Sequence, residues 1–388
     1  MTTKQHHKPR TSNQIFLVLQ ERIQNGVYAA GERLPTERTF AQEFSVDRYA
    51  IQRSLEQLHR QGLIIKERGR RPVVASNPSF RNGHATGSET SLKTIAALLP
   101  HDAAYPAAVA VLTGVNAALR RLSAPYRVIP FDVRLFEMEE DALREVEEQG
   151  YGGVIIWHSG EKATLNTICR QMRQGIPFVF VDRYPHGMNC DFVGVDNTTA
   201  STEAVNYLIK LGHTRIGFLT STEETTAVME RRDGYLQALE LAGITHHPDW
   251  IAAVSSKDPT LVGPAVEKLL NVSEPLTAVF ALNDSKAHYF IAEIERRGLR
   301  VPEDISVVGF DDLERYSPRP ALLTTMHQPF HSIGERAAHL LLNRMHDVQK
   351  QTTFQHILLT PSLVIRSTTS RLMDPGRSLN FQEDHLNV

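Results

Sequence analysis

The stretch FSVDRYAIQRSLEQL, residues 44–58, places Ile51, Leu55 and Leu58 at i, i+4 and i+7, on one face of a helix. At 100° per residue Tyr49, Gln52, Arg53 and Glu56 point away from that stripe. Asp47 stands immediately before it, where a carboxylate accepts from the free backbone N–H groups of the first turn, and it reads as an N-cap worth ~1 kcal/mol over Ala. SNQIFLVLQERIQN, residues 12–25, reads as an earlier helix with Ser12 as cap, ended before Gly26. GVYAAGERLP is a loop that stops at Pro35. Thr36 then caps a second helix, TERTFAQEF, without a capping box because the third residue onward is Thr39. Gly62 ends the third helix. LIIKERGRRPVVA sets two apolar runs either side of a charged turn at Gly69, the pattern of a two-stranded hairpin.

Three helices followed by a hairpin is the order of a winged helix-turn-helix, over residues 1–75. Residues 76–91, SNPSFRNGHATGSETS, hold almost no aliphatic side chain and read as a flexible linker. From residue 92 the periodicity changes. Apolar runs TIAALLP, YRVIPFD, GGVIIWH, PFVFVD, RIGFLTS, AVFALND and ISVVGFDD alternate with helical stretches such as AAVAVLTGVNAALRRL, TTASTEAVNYLIKLG and ERRDGYLQALELAG. Near-continuous apolar strands between amphipathic helices predict parallel sheets covered on both faces. The length of this region calls for two α/β subdomains with a cleft between them, over 92–369, before a tail at 370–388.

In such sheets ligands bind beyond the carboxyl ends of the strands, and the unusual polar residues fall there. The first strand runs into His101, Asp102 and Tyr105, the third into Trp157 and His158, and the fourth into Asp182 and Arg183. Arg231 opens a helix after RIGFLTS, while Asn283-Asp284 and Asp311-Asp312 close two later strands. Carboxylates, amides, guanidinium groups and an aromatic face together suit a neutral polyol. Singly, an Asp after a strand reads equally as a cap or turn residue, and Trp157 as core or interface. The recurrence at many strand ends is what points to a cleft.

Composition adds a charge asymmetry. Residues 1–75 carry 13 Lys/Arg against 7 Asp/Glu, about +6, whereas the whole chain of 388 residues is at −2, so a basic module is joined to an acidic body. Cys169 and Cys190, the only two cysteines, fit neither a disulfide framework nor a metal site and imply a reducing compartment. No apolar run is long enough for a membrane helix and MTTKQHHKPR lacks the apolar segment of a signal peptide, so a cytoplasmic protein without membrane contact is expected. No glycine fingerprint, phosphate loop, nucleophile elbow or H-E-x-x-H pair occurs. An enzyme, a catalytic residue, a cofactor and a metal are accordingly not expected.

The segment GVYAAGERLPTERTFAQEFSVDRYAIQRSLEQLHRQGLI resembles the GntR-type winged-helix domain, whose G-x-x-x-x-G-x-x-L-P-[ST]-E-R pattern is matched from Gly26 to Arg38. GHTRIGFLTS, RRDGYLQAL, AVFALND, VPEDISVVGFDD and TTMHQPFHSIGERAAHLLL are similar to signatures of the LacI/GalR-type effector domain, which is related to periplasmic sugar-binding proteins. The pairing resembles the arabinose-repressor type of regulator. The resemblance implies DNA contacts at Arg38 and Arg48 and a wing tip at Gly69. It implies effector contacts at Asp182, Arg231, Asn283 and Asp311, and ligand-dependent ones at Arg183, Thr225, Trp157 and Gln328. Asp102 and Tyr105 are placed less directly, because the first-strand loop is one residue longer than the usual pattern.

Departures from the family are specific. Asp47 replaces a Ser or Thr, Gln52 replaces an Arg, and the wing reads Gly69-Arg70-Arg71-Pro72. Gln52 pairs bidentately with adenine where Arg selects guanine, and Arg68, Arg70 and Arg71 would add phosphate or minor-groove contacts. Tyr49 and Arg53 complete the reading face. The expectation is a homodimeric repressor of carbohydrate-utilisation genes that reads a palindromic operator and is released by a small sugar. The alternatives are a cytosolic small-molecule binding module, or a regulator corepressed by a nucleobase or a phosphorylated metabolite.

Overall fold

The computed structural model describes residues 12–24, 27–29, 31–46, 48–60, 63–66, 71–75, 93–100, 106–132, 139–255, 258, 261–317, 320–346 and 353–372. The chain divides into two compact units, residues 1–89 and 90–388.

The first unit holds α1 (Ser12–Gln24), α2 (Glu37–Phe44) and α3 (Arg48–Arg60), then β1 (Ile64–Ile65) and β2 (Val73–Val74). Thr36 caps α2, its Oγ1 accepting from Thr39 N at 3.1 Å, as the sequence predicts. Ser45 takes the left-handed conformation after α2, φ 57°, and this tight reversal turns the chain into α3. Ile51, Leu55 and Leu58 are all fully buried with Ile15, Leu19 and Phe40 in one core. The predicted hairpin is present, antiparallel, with Ile64 opposite Val74 and Ile65 opposite Val73. Asp47, read as the cap of α3, lies outside the described residues, as do Arg68, Gly69 and Arg70 of the wing.

The second unit holds two six-stranded sheets. Its elements run β3 (Lys93–Leu99), α4 (Pro106–Arg121), β4 (Tyr126–Asp132), α5 (Glu139–Gln149), β5 (Gly153–Ile156), α6 (Lys162–Arg173), β6 (Phe178–Val181) and β7 (Asp191–Val195). They continue with α7 (Asn197–Lys210), β8 (Ile216–Ser221), α8 (Thr226–Leu241), β9 (Ile251–Val254), α9 (Val262–Leu270), β10 (Ala278–Ala281), α10 (Asp284–Arg296) and β11 (Ser306–Asp311). Last come β12 (Thr324–His327), α11 (Phe330–His346), β13 (His356–Leu359) and β14 (Ser362–Val364). The strand orders are β13-β7-β6-β5-β3-β4 and β14-β12-β11-β10-β8-β9. Apart from the two late edge strands, each sheet places its strands in the order 2-1-3-4-5, the same doubly wound arrangement twice. All pairs are parallel except β12 with β14.

Every apolar run read as a strand is one. The runs that escaped notice were DFVGV, IAAV and TTMH, and the half-exposed HILL and SLV, whose partial burial removes the continuous apolar signature of an interior strand. β12 is fully within the core over Thr324–Met326, yet two threonines disguise it.

The chain passes between the subdomains three times. α7 follows the first sheet but packs on α8, β10 and β12, and α11 follows the second sheet but packs on α4, β5, β6 and β7. The passages are therefore at Asp196, at Gln328-Pro329 and at Thr360-Pro361. Two glycines make the α4–α11 crossing possible. A Cβ on Gly114 would lie 1.9 Å from His331 O, and one on Gly334 would lie 2.0 Å from Val111 O, so the backbones touch directly.

Candidate effector cleft and reading face

Asp182 follows β6 and Asp311 ends β11, and these two strands hold the same place in their respective sheets. Both residues have positive φ, 66° and 110°, and Asp312 after them has 59°. Non-glycine residues in this region cost strain that the surrounding structure must hold in place. Here both strained residues place their carboxylates against Gln328. Around Asp311 the restraint comes from Asp284, whose Oδ2 accepts from Leu313 N at 2.6 Å and whose Oδ1 accepts from Thr325 Oγ1 at 2.6 Å. Asp284 is buried, and this burial, reinforced by the charge of Asp311, holds its carboxyl well above the usual carboxylate range.

Arg231, from α8, is 4% exposed. Its Nε donates to Asn197 Oδ1 at 2.9 Å, its Nη1 donates to Leu282 O at 2.8 Å, and its guanidinium lies 3.7 Å above the Phe310 ring. Nη1 is 3.5 Å from Asp311 Oδ1 and Nη2 is 3.9 Å from Asp182 Oδ1. Gln328, on the second passage between subdomains, donates from one Nε2 to Asp311 Oδ1 at 2.8 Å and to Asp182 Oδ1 at 3.2 Å. Two carboxylates fix the amide orientation, because a flipped Gln328 would turn its oxygen against them. Its Oε1 is buried and makes no hydrogen bond among the described residues. Burial pushes the Asp311 carboxyl up to about 7, with Arg231 opposing and Asp182 reinforcing the rise.

The subdomains also meet beside this cluster. Tyr184 N donates to Thr226 Oγ1 at 3.1 Å, and the same hydroxyl donates to Tyr184 O at 3.0 Å. Tyr184 OH and Asn197 Nδ2 both donate to Glu230, whose carboxyl burial holds above its ordinary range.

The structure thus brings together Asp182, Arg231, Asp311 and Gln328. Other residues singled out from the sequence stand differently. Asn283 Oδ1 caps α10, accepting from Lys286 N at 3.0 Å, and Thr225 Oγ1 caps α8, accepting from Val228 N at 3.4 Å. For these two the capping role weighed for strand-end residues is present. His158 is 2% exposed and its Nδ1 pairs with Glu139 Oε1 at 2.7 Å, in a buried cluster with Ser159 and Thr164. Arg183 Nε donates to His158 O at 2.7 Å. Trp157 is buried and stacks on Phe330 at 5.6 Å between centroids. Asp102 and Tyr105 lie outside the described residues. Asn197, Phe310 and Glu139 went unnoticed in the sequence; Asn197 follows the strand DFVGV, and recognising that strand would have marked it as one more polar residue at a strand end.

On the first unit, Arg38, Arg48, Gln52, Arg53 and Arg71 are exposed, and of Tyr49 only the backbone on α3 is described. Glu37 Oε2 accepts from Arg48 Nη2 at 3.1 Å and from Gln52 Nε2 at 3.0 Å. Glu37, Gln52, Arg53 and Lys66 line a shallow groove. The organising role of Glu37 was missed, although a carboxylate in the first turn of α2 was visible. Among the described residues no helix is long and apolar enough to cross a membrane, and no group of three or more metal-ligating side chains occurs.

Residues 11–74 match the gntR family of bacterial regulatory proteins, and residues 205–369 match a periplasmic binding protein-like domain. The chain is 31% identical over 238 residues to the HTH-type transcriptional repressor PurR of Vibrio vulnificus, covering 61% of this chain and 70% of that one. It is 35% identical over 222 residues to the repressor CytR of Escherichia coli, covering 55% of this chain and 62% of that one. Among solved structures, a LacI family transcriptional regulator from Enterococcus faecium with bound ribose superposes with a TM-score of 0.61 at 26% identity, over 72% of this chain and all of that one. The regulator CelR in its cellobiose complex has the same fold, with a TM-score of 0.61 at 21% identity over 92% of this chain and 99% of that one.

Proposed function

The chain belongs to the LacI family of transcriptional repressors, here with a gntR-type head, and from that premise we propose that it is a cytoplasmic homodimer released from a palindromic operator by a neutral carbohydrate. The observation that carries the effector class is the amide of Gln328 donating to Asp182 and Asp311 while its own Oε1 finds no donor among the described residues. Carboxylates and a free carbonyl accept from hydroxyls, and Arg231 balances part of their charge, so the site asks for several O–H donors on one small molecule. A phosphorylated or carboxylated effector would bring its charge against Asp182 and, once it ionises above about 7, Asp311. The relatives' bound ribose and cellobiose are of the expected class.

The cluster draws on both subdomains and on a passage between them, so a sugar seated there stabilises one mutual arrangement of the two. Operator affinity changes only by the ratio of effector affinities in the two states. The protein binds and does no chemistry on its ligand. A dimer face is supported by Tyr289, Tyr316 and Leu322, which are 47%, 40% and 56% exposed. They lie on adjoining elements, because His288 on α10 contacts Glu314 beside Tyr316, and Glu314 in turn accepts from Leu322 N. In the heads, Arg38, Arg48, Gln52, Arg53 and Arg71, with the wing arginines Arg68 and Arg70, contact two half-sites.

The test is a thermal-shift screen of the full chain against sugars, sugar phosphates and nucleobases, followed by operator binding with the best compound. Stabilisation by a neutral sugar that also lowers operator affinity supports the reading. Stabilisation by a phosphorylated compound or a nucleobase alone replaces the effector class, and DNA affinity indifferent to salt would remove the DNA-binding role.

A further inference from the structure

Asp182 and Tyr184 stand two residues apart on the turn after β6, and Thr226, Glu230 and Arg231 all lie on α8. The turn belongs to one subdomain and the helix to the other. Three hydrogen bonds join them outside the effector cluster. Tyr184 N donates to Thr226 Oγ1 at 3.1 Å, that hydroxyl donates to Tyr184 O at 3.0 Å, and Tyr184 OH donates to Glu230 Oε1 at 3.1 Å. These bonds form within the chain alone.

Each side is anchored in its own subdomain. The Tyr184 ring packs against Phe192 of β7 and His356 of β13, both at 4.7 Å between centroids. Glu230 O accepts from Thr198 Oγ1 at 3.3 Å, and its Oε2 accepts from Asn197 Nδ2 at 2.9 Å, both at the start of α7. Asn197 Oδ1 in turn accepts from Arg231 Nε at 2.9 Å. Glu230 therefore fixes which way the Asn197 amide points, because a flipped amide would set its oxygen against the carboxylate. The amide oxygen is thereby kept for Arg231, which approaches Asp182 and Asp311.

The three bonds restrain the same movement that an effector would. One short turn holds Asp182 and Tyr184, and one helix holds Thr226, Glu230 and Arg231. Tyr184 cannot part from Thr226 and Glu230 without carrying Asp182 away from Arg231. An internal bond and a ligand that favour one arrangement act on the same equilibrium. The internal bond acts before any ligand binds, so it sets the share of molecules already in that arrangement.

We infer that Tyr184, Thr226 and Glu230 form a built-in tie that pre-populates the effector-bound arrangement of the subdomains, with Glu230 also a positioning residue that orients Arg231 through Asn197. The tie sets the threshold of the response, the amount of effector needed before operator affinity changes. It rests on the reading of an effector-released repressor above and adds residues that act without contacting the effector.

Fluorescence anisotropy on the full chain, with an operator duplex selected from a randomised pool, tests it together with calorimetry on ribose, glucose, galactose and cellobiose. Tyr184→Phe keeps the ring packing, and Thr226→Val removes only the hydroxyl. Each should tighten sugar-free operator binding and weaken sugar binding, both roughly two- to tenfold, the worth of one net hydrogen bond. These opposite signs are what loss of a merely structural contact would not produce. Thr226→Ser should behave as the unaltered chain. Glu230→Ala added to Tyr184→Phe should leave sugar-free operator affinity where Tyr184→Phe put it, yet weaken the sugar further, because the Asn197 amide is then free to turn. Operator and sugar affinities that fall together, or a sugar-free operator affinity that no variant moves, overturn the tie. Operator binding that tightens as expected while none of the four sugars binds upholds the tie and removes the carbohydrate class. No operator binding by the unaltered chain removes the tie and the operator reading together.

Discussion

Glu37 on α2 and Gln52 on α3 are joined by a hydrogen bond of 3.0 Å, and the same carboxylate oxygen holds Arg48. The two side chains proposed to read DNA are thus oriented in the free chain by a residue whose charge opposes phosphate. Glu37→Ala should therefore raise affinity for non-specific duplex and lower the ratio of specific to non-specific binding, roughly three- to tenfold. Gel-shift titrations at several salt concentrations measure both. An unchanged ratio would show that Arg48 and Gln52 need no such guide.

Gln52→Arg tests base choice at one position. An amide side chain favours adenine and a guanidinium favours guanine, with ~1–3 kcal/mol of discrimination in a good bidentate pair. Selection from a randomised operator should show an adenine-to-guanine change at one symmetric pair of positions. An operator preference that does not move would refute a base contact by Gln52.

Asp311 makes stability depend on pH. Its folded carboxyl titrates at about 7 against an ordinary 3.8, because burial penalises the charge. Between those two values the folded state holds a proton that the unfolded chain has lost, so stability falls as pH rises through that window. Above about 7 the cost is fully present. Asp311→Asn removes the charge and should raise the melting temperature more at pH 8 than at pH 5, while abolishing sugar binding. An equal shift at both values would contradict the raised proton affinity.

Gly334→Ala should destabilise the second unit by about 1–3 kcal/mol or more, because its Cβ would lie 2.0 Å from Val111 O and two helices would have to part. Gly150→Ala is the control, since its Cβ would meet nothing within 4 Å; only the strain of its positive φ, 68°, would be felt. Chemical denaturation followed by circular dichroism distinguishes them. A larger loss at Gly150 would place the α4–α11 contact elsewhere.

The architecture was legible in the sequence wherever one physical signal acted alone. Ile51, Leu55 and Leu58 fixed α3 by spacing, and Thr36 declared its cap. Most strands buried on both faces announced themselves as apolar runs, although DFVGV, buried throughout, escaped notice. TTMH did not, because its threonines satisfy their hydroxyls inside the fold: Thr325 donates to Asp284. In the cleft, position at a strand end was readable, but whether a side chain turned toward a ligand or back onto its own helix was not. Asn283 and Thr225 cap helices while Asp182 and Asp311 meet at Gln328, and the two aspartates share a positive φ that no residue type announces. His158 shows the same limit, since its partner Glu139 is 19 residues away in a separate helix.

The repeated strand order has one more consequence. Asp182 and Asp311 are the same position used twice, once in each half of the unit, and Gln328 touches both from the connection between them. Neither half owns a complete site. On the proposed effector reading, a ligand that satisfies only one aspartate leaves the mutual arrangement of the halves unbiased, and the cleft then acts as a coincidence detector, reporting a molecule only when two separate surfaces recognise it together.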